Sequence, residues 1–358
     1  MLGGLNEDEK REERDREGGM STKRVGILGC GGFAGAHARR LKANTDVQIV
    51  ALADISQERM QGLIQRRLQD YTPVPAIYTD PEKMFREARL DGVVIVTPHV
   101  LHFQQTLRAL EAGCHVLVEK PMVLNAKDAA LLAEMVRASG RKVVVGYNPP
   151  YTAPFQYLRQ TIRDGRLGRL QLVNGYISQN WKKLTAGSWR QDPVVSGGGQ
   201  AFDSGAHLLA GICWAVGASP EEVFAFVDRQ ETPVDINAAV AVRFAGGVMA
   251  TIAVGGDCLS DGSHSAYLFD GGRIEIDGWG GQWIHAFRGA DRLTDTPGGG
   301  TEPAPDGNFV EVMQGRADPI CAVQDGLRMA QLMDALYESA RIGRPQKYGV
   351  EDGVAKGR

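Results

Sequence analysis

The stretch VGILGCGGFAGAHARRL, residues 25–41, sets a glycine-rich loop between an apolar run and an amphipathic segment. RVGIL (24–28) reads as a buried strand and residues 33–42 as the helix that follows it. Gly29, Gly31 and Ala34 supply the G-x-G-x-x-A spacing. The first glycine permits a tight turn, the second lets a pyrophosphate approach the backbone, and small Ala34 allows close helix–strand packing. Bound phosphates would face the amide groups at the helix start. Gly32 and Phe33 lie in the same loop and join the expected cofactor contacts.

The next apolar run, VQIVALAD (47–54), ends in Asp54, 25 residues after Gly29. An acid at roughly 20 residues from the loop accepts hydrogen bonds from an adenosine ribose. Its charge repels a 2′-phosphate, and no basic residue follows until Arg59, which is itself an expected contact. The pattern therefore predicts NAD over NADP. A second reading of Asp54 is a helix N-cap before SQER.

The alternation continues through GVVIVT (92–97), HVLVE (115–119) and KVVVG (142–146), with amphipathic segments at 56–69, 80–89, 100–112 and 125–139. Strands alternating with helices predict a doubly wound parallel sheet, a Rossmann domain over 21–147. Beyond it, helices are expected at 152–164, 200–216 and 322–342. Strand-like runs at 170–179, 222–229, 237–256 and 265–278, joined by AGG and DGG turns, predict a mainly antiparallel sheet with helices on one face. Residues 148–348 are thus expected to form an α+β domain for substrate and oligomerisation, with 291–308 a mobile loop and 349–358 a tail.

Of 358 residues, 43% are hydrophobic, a globular composition. Residues 7–17, EDEKREERDRE, hold seven acids and four bases, which equals the formal net charge of −3 and leaves the rest neutral. Residues 1–20 read as a disordered charged tail. A neutral body gives no support for nucleic-acid binding. No window reaches the roughly 18 apolar residues of a membrane span. Five scattered cysteines without CxxC pairing suggest reduced thiols in a cytoplasmic protein.

Two further stretches end strands where open α/β sheets bind ligands. TPHVLH carries Thr97, Pro98, His99 and His102; VEKPM carries Glu119 and Lys120. The charge of Lys120 suits stabilisation of an alkoxide, or a structural salt bridge. In GGGQAFDSGAH (197–207), Asp203 and His207 stand four apart, on one face if the segment is helical. The pair fits a proton relay or a packed core histidine. No other histidine has ligand spacing with it, and no metal is expected. Trp181, Trp189 and Arg190 precede the run and read equally as a wall of a substrate site or as core or interface packing.

Together GCGGFAGAH, ALAD, VTPHVLH, HVLVEKPM, SGGGQAFDSGAHLL and the block from Asn308 to Pro345 resemble the glucose–fructose oxidoreductase / inositol dehydrogenase family (Gfo/Idh/MocA), in that family's order. The resemblance implies an NAD(P)-dependent dehydrogenase acting on a CH–OH group of a cyclic polyol or sugar. It places Thr97, Pro98, His99, His102 and Glu119 at the cofactor. Lys120, Asp203 and His207 become catalytic, with Lys120 touching both cofactor and substrate. The family's basic or aromatic run after the sixth strand is replaced by GYNPPY, which removes a substrate-contacting arginine and leaves Tyr147, Asn148 and Trp189 as further substrate contacts.

In the expected mechanism His207 takes the hydroxyl proton, Asp203 fixes its tautomer or holds another hydroxyl, and Lys120 stabilises the oxyanion. The alternatives are an enzyme that retains and recycles NAD, such as a glycosidase or sugar oxidoreductase, and a non-catalytic nucleotide sensor on the same fold. A homo-dimer or homo-tetramer through the open C-terminal sheet is expected.

Overall fold

The computed structural model describes residues 22–300 and 304–348. The expected tails at 1–20 and 349–358 lie outside the described residues.

The first sheet has six parallel strands in the order β3-β2-β1-β4-β5-β6. These are β1 (Lys23–Leu28), β2 (Val47–Ala53), β3 (Ala76–Tyr78), β4 (Gly92–Ile95), β5 (His115–Val118) and β6 (Val143–Val145). β4 and β6 are buried throughout, as strands covered on both faces must be. The short β3 has no counterpart in the sequence reading because AIY carries too few apolar residues to stand out.

The connecting helices are α1 (Ala34–Lys42), α2 (Gln57–Arg67), α3 (Pro81–Glu87), α4 (His102–Glu111) and α5 (Ala126–Ser139). Each lies within a few residues of its predicted span. Their starts are marked by side-chain caps: Ser56 for α2, Asp80 for α3 and Asn125 for α5 accept a backbone N–H of the first turn. Ser56, not Asp54, therefore caps α2.

α6 (Ala153–Asp164) leads to a nine-stranded sheet, β14-β13-β12-β11-β7-β10-β9-β8-β15. Its members are β7 (Leu170–Ser178), β8 (Pro220–Asp228), β9 (Asn237–Phe244), β10 (Met249–Gly255), β11 (Gly262–Phe269), β12 (Gly272–Ile276), β13 (Ile284–Arg288), β14 (Asp291–Arg292) and β15 (Gln346–Lys347). Every pairing is antiparallel except β7 with β10. Alternate residues of β9 and β10 are buried and exposed, so one face is packed and the other open. α7 (Gly205–Val216) and α9 (Val323–Ile342) cover the inner face, while Tyr176 and Phe226 stand exposed on the outer one.

The loop predicted at 291–308 is irregular over 293–300, but the structure departs from the sequence reading at both ends. β14 occupies its start, and α8 (Pro305–Met313) its end. Phe309, Val310, Val312 and Met313 of α8 pack with Val25, Ile27 and Leu117 against the first sheet. The chain thus returns from the second sheet to close the face already covered by α1 and α2. A proline at the first helical position and apolar residues at helical spacing after it are the signals that mark α8.

Candidate active site

A cavity of 650 Å³ runs from the glycine loop to the start of α7. At one end lie Gly29, Gly31, Gly32, Phe33, Asp54 and Arg59; at the other Lys120, Asn148, Trp189, Asp203 and His207. Gly29 has φ +93°, and a Cβ there would stand 2.7 Å from the Val96 carbonyl carbon. Only glycine makes that turn. A Cβ at Gly31 or Gly32 would meet nothing within 4 Å, so these positions open onto the cavity and leave the backbone bare to a ligand.

Asp54 is buried at the lip, where Oδ2 accepts the Cys30 N–H at 2.8 Å and Oδ1 the Ser56 N–H at 2.9 Å. It locks the glycine loop to the end of β2, and each oxygen retains acceptor capacity for a ribose hydroxyl. Arg59 lies 4.0 Å from Asp54 Oδ1, on the exposed side. These residues fit NAD: bare glycine amides at the start of α1 for pyrophosphate, and a carboxylate for the ribose. Ala34 is buried at the first residue of α1, under the loop and off the cavity wall.

The other end is organised around Asp203. Its Oδ1 accepts Lys120 Nζ at 2.6 Å; Oδ2 accepts Trp181 Nε1 at 2.8 Å and Arg190 Nε at 3.1 Å. Lys120 also donates to the Asp203 carbonyl at 3.1 Å. Burial alone would raise the carboxyl's pKa, but the Lys120 and Arg190 charges outweigh it and hold the group well below the usual range. Asp203 is therefore a buried carboxylate shared by two cations.

That arrangement overturns the expected Asp203–His207 pairing. α7 starts at Gly205, so Asp203 lies in the turn before the helix and the two side chains do not share a helical face. His207 Nδ1 instead accepts the Asn148 backbone N–H at 3.2 Å. A neutral imidazole carries one N–H, so the proton sits on Nε2. Burial, then the Lys120 charge, pushes its pKa well below the ordinary value, so the ring is neutral. It is a hydrogen-bond donor, and a proton acceptor only if the Asn148 contact breaks.

His99 lines the cavity with Nδ1 2.8 Å from the Ser196 carbonyl. Burial, then Lys120 and His102, push its pKa down to about 3. Its Nε2 is 3.9 Å from Asp203 and its ring meets Trp189 edge-on, so it belongs to the Lys120 end. Thr97, Pro98 and Glu119 line the cavity. His102 does not. It is fully buried, with Nδ1 2.7 Å from the Pro121 carbonyl and Nε2 2.8 Å from that of Thr97. Burial lowers its pKa, so only one of these contacts carries a proton at a time, and the ring braces the two loops from behind. Tyr147 is likewise core, not substrate wall: it is buried, packed edge-on to His207, and its phenol pKa is raised by burial.

Two features escaped the sequence reading. Trp279, at the turn after β12, lines the cavity with its ring 4.7 Å from that of His207. Asp277 builds that turn, accepting the N–H groups of Trp279, Gly280 and Gln282 and the Ser263 hydroxyl. The glycine run packs closely against Asp235 and Tyr337. A Cβ on Gly198 would sit 2.2 Å from the Tyr337 hydroxyl, and one on Gly199 1.9 Å from the Asp235 carbonyl oxygen. Asp235 accepts the Gly199 and Ala201 N–H groups and the Tyr337 hydroxyl. The run is pinned to its own domain, and this fixes where Asp203 emerges.

Two family models match. Residues 23–147 fit the oxidoreductase family with an NAD-binding Rossmann fold, and residues 155–283 fit the GFO/IDH/MocA C-terminal domain. The chain belongs to the Gfo/Idh/MocA family. NAD is accordingly the cofactor of its Rossmann cleft.

Among Gfo/Idh/MocA relatives, D-glucoside 3-dehydrogenase of Escherichia coli is 26% identical over 200 residues, 55% of each protein. Myo-inositol 2-dehydrogenase of Thermotoga maritima is 25% identical over 264 residues, 71% of this chain and 72% of the relative. The match thus spans little more than half of the first relative. The fold is shared with the WlbA dehydrogenase from Bordetella pertussis, solved with NADH and UDP-GlcNAcA (TM-score 0.79, 22% identity, 92% of this chain and 100% of that one). Among the described residues no helix is long and apolar enough to cross a membrane, and no cluster of side chains could hold a metal ion.

Proposed function

We propose that the protein is an NAD-dependent dehydrogenase that moves a hydride between nicotinamide and a secondary alcohol of a cyclic polyol or sugar. The observation that carries this is the Lys120–Asp203 contact of 2.6 Å in the same cavity as the glycine loop and Asp54. The substrate class follows the names of the two relatives, a glucoside and an inositol dehydrogenase. The faces of Trp189 and Trp279 suit the C–H surface of a sugar ring.

NAD, when bound, supplies the hydride acceptor. Lys120 and the Nε2–H of His207 hold the substrate oxygen from the protein side. Lys120 is the proton-transfer group: in the reduction direction its ammonium gives a proton to the carbonyl oxygen as the hydride arrives, and in the oxidation direction the amine, left when that proton has gone to solvent, takes the hydroxyl proton as the C–H hydride leaves. Asp203 and Arg190 fix its position, and the negative charge on Asp203 offsets the ammonium that forms. This reassigns to Lys120 the proton that the sequence reading gave to His207.

Residues 21–147 serve as the nucleotide-binding domain and 148–348 as the substrate domain, in a cytoplasmic protein. The outer sheet face, with exposed Phe226 and Tyr176, pairs two copies. A monomer in sedimentation equilibrium excludes that pairing. Activity is read as absorbance near 340 nm after adding NAD and a panel of polyols and sugars. No change with any of them, from protein shown to bind NAD, rejects the dehydrogenase.

A further inference from the structure

Behind the cofactor cavity lies a second buried polar cluster that the hydride chemistry does not use. His37, on α1 one turn past the glycine loop, has no exposed surface. Its Nε2 is 3.1 Å from Glu119 Oε1 and its Nδ1 is 2.7 Å from Asp306 Oδ1. Arg40 Nη1 reaches Asp306 Oδ2 at 3.0 Å. Three chain segments far apart in sequence meet here: α1, the end of β5, and the start of α8.

A carboxylate has only acceptors, so a ring with a carboxylate oxygen at each nitrogen must donate from both, as imidazolium. His37 and Arg40 then bring positive charge to the two carboxylates, which is what their burial requires. Glu119 is the member that also faces the cavity, immediately before Lys120, and its Oε2 lies 3.3 Å from the Lys120 N–H. Phe33, another cavity residue, meets the His37 ring edge-on at 5.4 Å. The imidazole thus stands between the glycine loop and the strand end that carries Lys120.

We propose that His37 is a positioning residue for cofactor binding. By bonding Glu119 and Asp306 at once, it holds the Glu119 carboxylate in the NAD cleft and ties the glycine-loop helix and α8 to that carboxylate. Removing the ring leaves Asp306 Oδ1 and Glu119 Oε1 without their buried donor, and Glu119 must protonate or turn away. The inference rests on the NAD cleft and deepens the reading of its floor.

The test is NAD affinity, measured by quenching of tryptophan fluorescence in full-length protein, well below each variant's own unfolding temperature. His37→Gln, which keeps one donor, weakens NAD binding about tenfold, the size of a lost charged hydrogen bond. Glu119→Gln weakens it too, and the double variant is within about twofold of the weaker single one, because both break one contact. Unchanged affinity in folded His37→Gln overturns the proposal, as do single effects that multiply in the double variant; a purely structural histidine lowers thermal stability without changing affinity. If His37→Gln does not fold, Asp306→Asn is read instead: weakened NAD binding supports the proposal, and unchanged binding overturns it. Wild-type protein that fails to bind NAD removes the cleft reading itself.

Discussion

Lys120 Nζ lies 2.6 Å from Asp203 Oδ1, joining the end of β5 in the first sheet to the turn that opens α7 over the second. Lys120 is charge-paired from the second domain, so chemistry in the cleft depends on how the two sheets are held together. Replacing Lys120 by Met removes the proton-transfer group and lowers kcat by about 10³-fold or more. Asp203→Asn leaves the lysine misplaced and lowers kcat about 10²-fold. Both retain NAD binding by fluorescence titration; a Lys120→Met protein with near-normal kcat refutes the assignment.

His207 donates through Nε2, so an amide donor can replace it in part. His207→Gln keeps roughly a tenth of wild-type kcat, and His207→Ala falls about tenfold further. The pH profile of kcat also separates the two roles. With its pKa well below the ordinary value, His207 contributes no limb near neutrality. A limb near pH 6.5 in the wild type that disappears in His207→Gln would make the histidine the base.

Asp54 holds the glycine loop through the Cys30 N–H and faces the cavity. Asp54→Ser loses the charge that opposes a 2′-phosphate. NAD affinity falls about tenfold and the preference for NAD over NADP narrows. Parallel titrations with both cofactors decide; an unchanged ratio removes Asp54 from cofactor selection.

The His37 cluster has a signature in stability. Burial alone would lower the pKa of the ring, but Asp306 and Glu119 raise it to about 10. An unfolded histidine titrates near 6.5. Below that pH the contribution is complete, and it is lost as pH rises through about 10. Tm is therefore expected to fall between about pH 7 and pH 10, and to fall less in His37→Gln. Parallel slopes in the two proteins by differential scanning calorimetry contradict an imidazolium.

The sequence alone determined five of the six strands of the first sheet, the helices between them and the nucleotide end of the cleft. Their signals are local: an apolar strand, a loop that only glycine can make, a cap such as Ser56, and an acid at the end of the second strand. The open-faced second sheet was legible too, since burial imposes a repeat of two along β9 and β10, whereas the order of its strands was not. What the tertiary structure decided is where the polar side chains turn. Asp203 faces Lys120 and Arg190 because α7 begins after it, His102 and Tyr147 face the core, and Trp279 reaches His207 on a turn built by Asp277. His37 meets Asp306 across 269 residues. Such partners are chosen by packing and charge balance in three dimensions, and spacing along the chain carries no record of them.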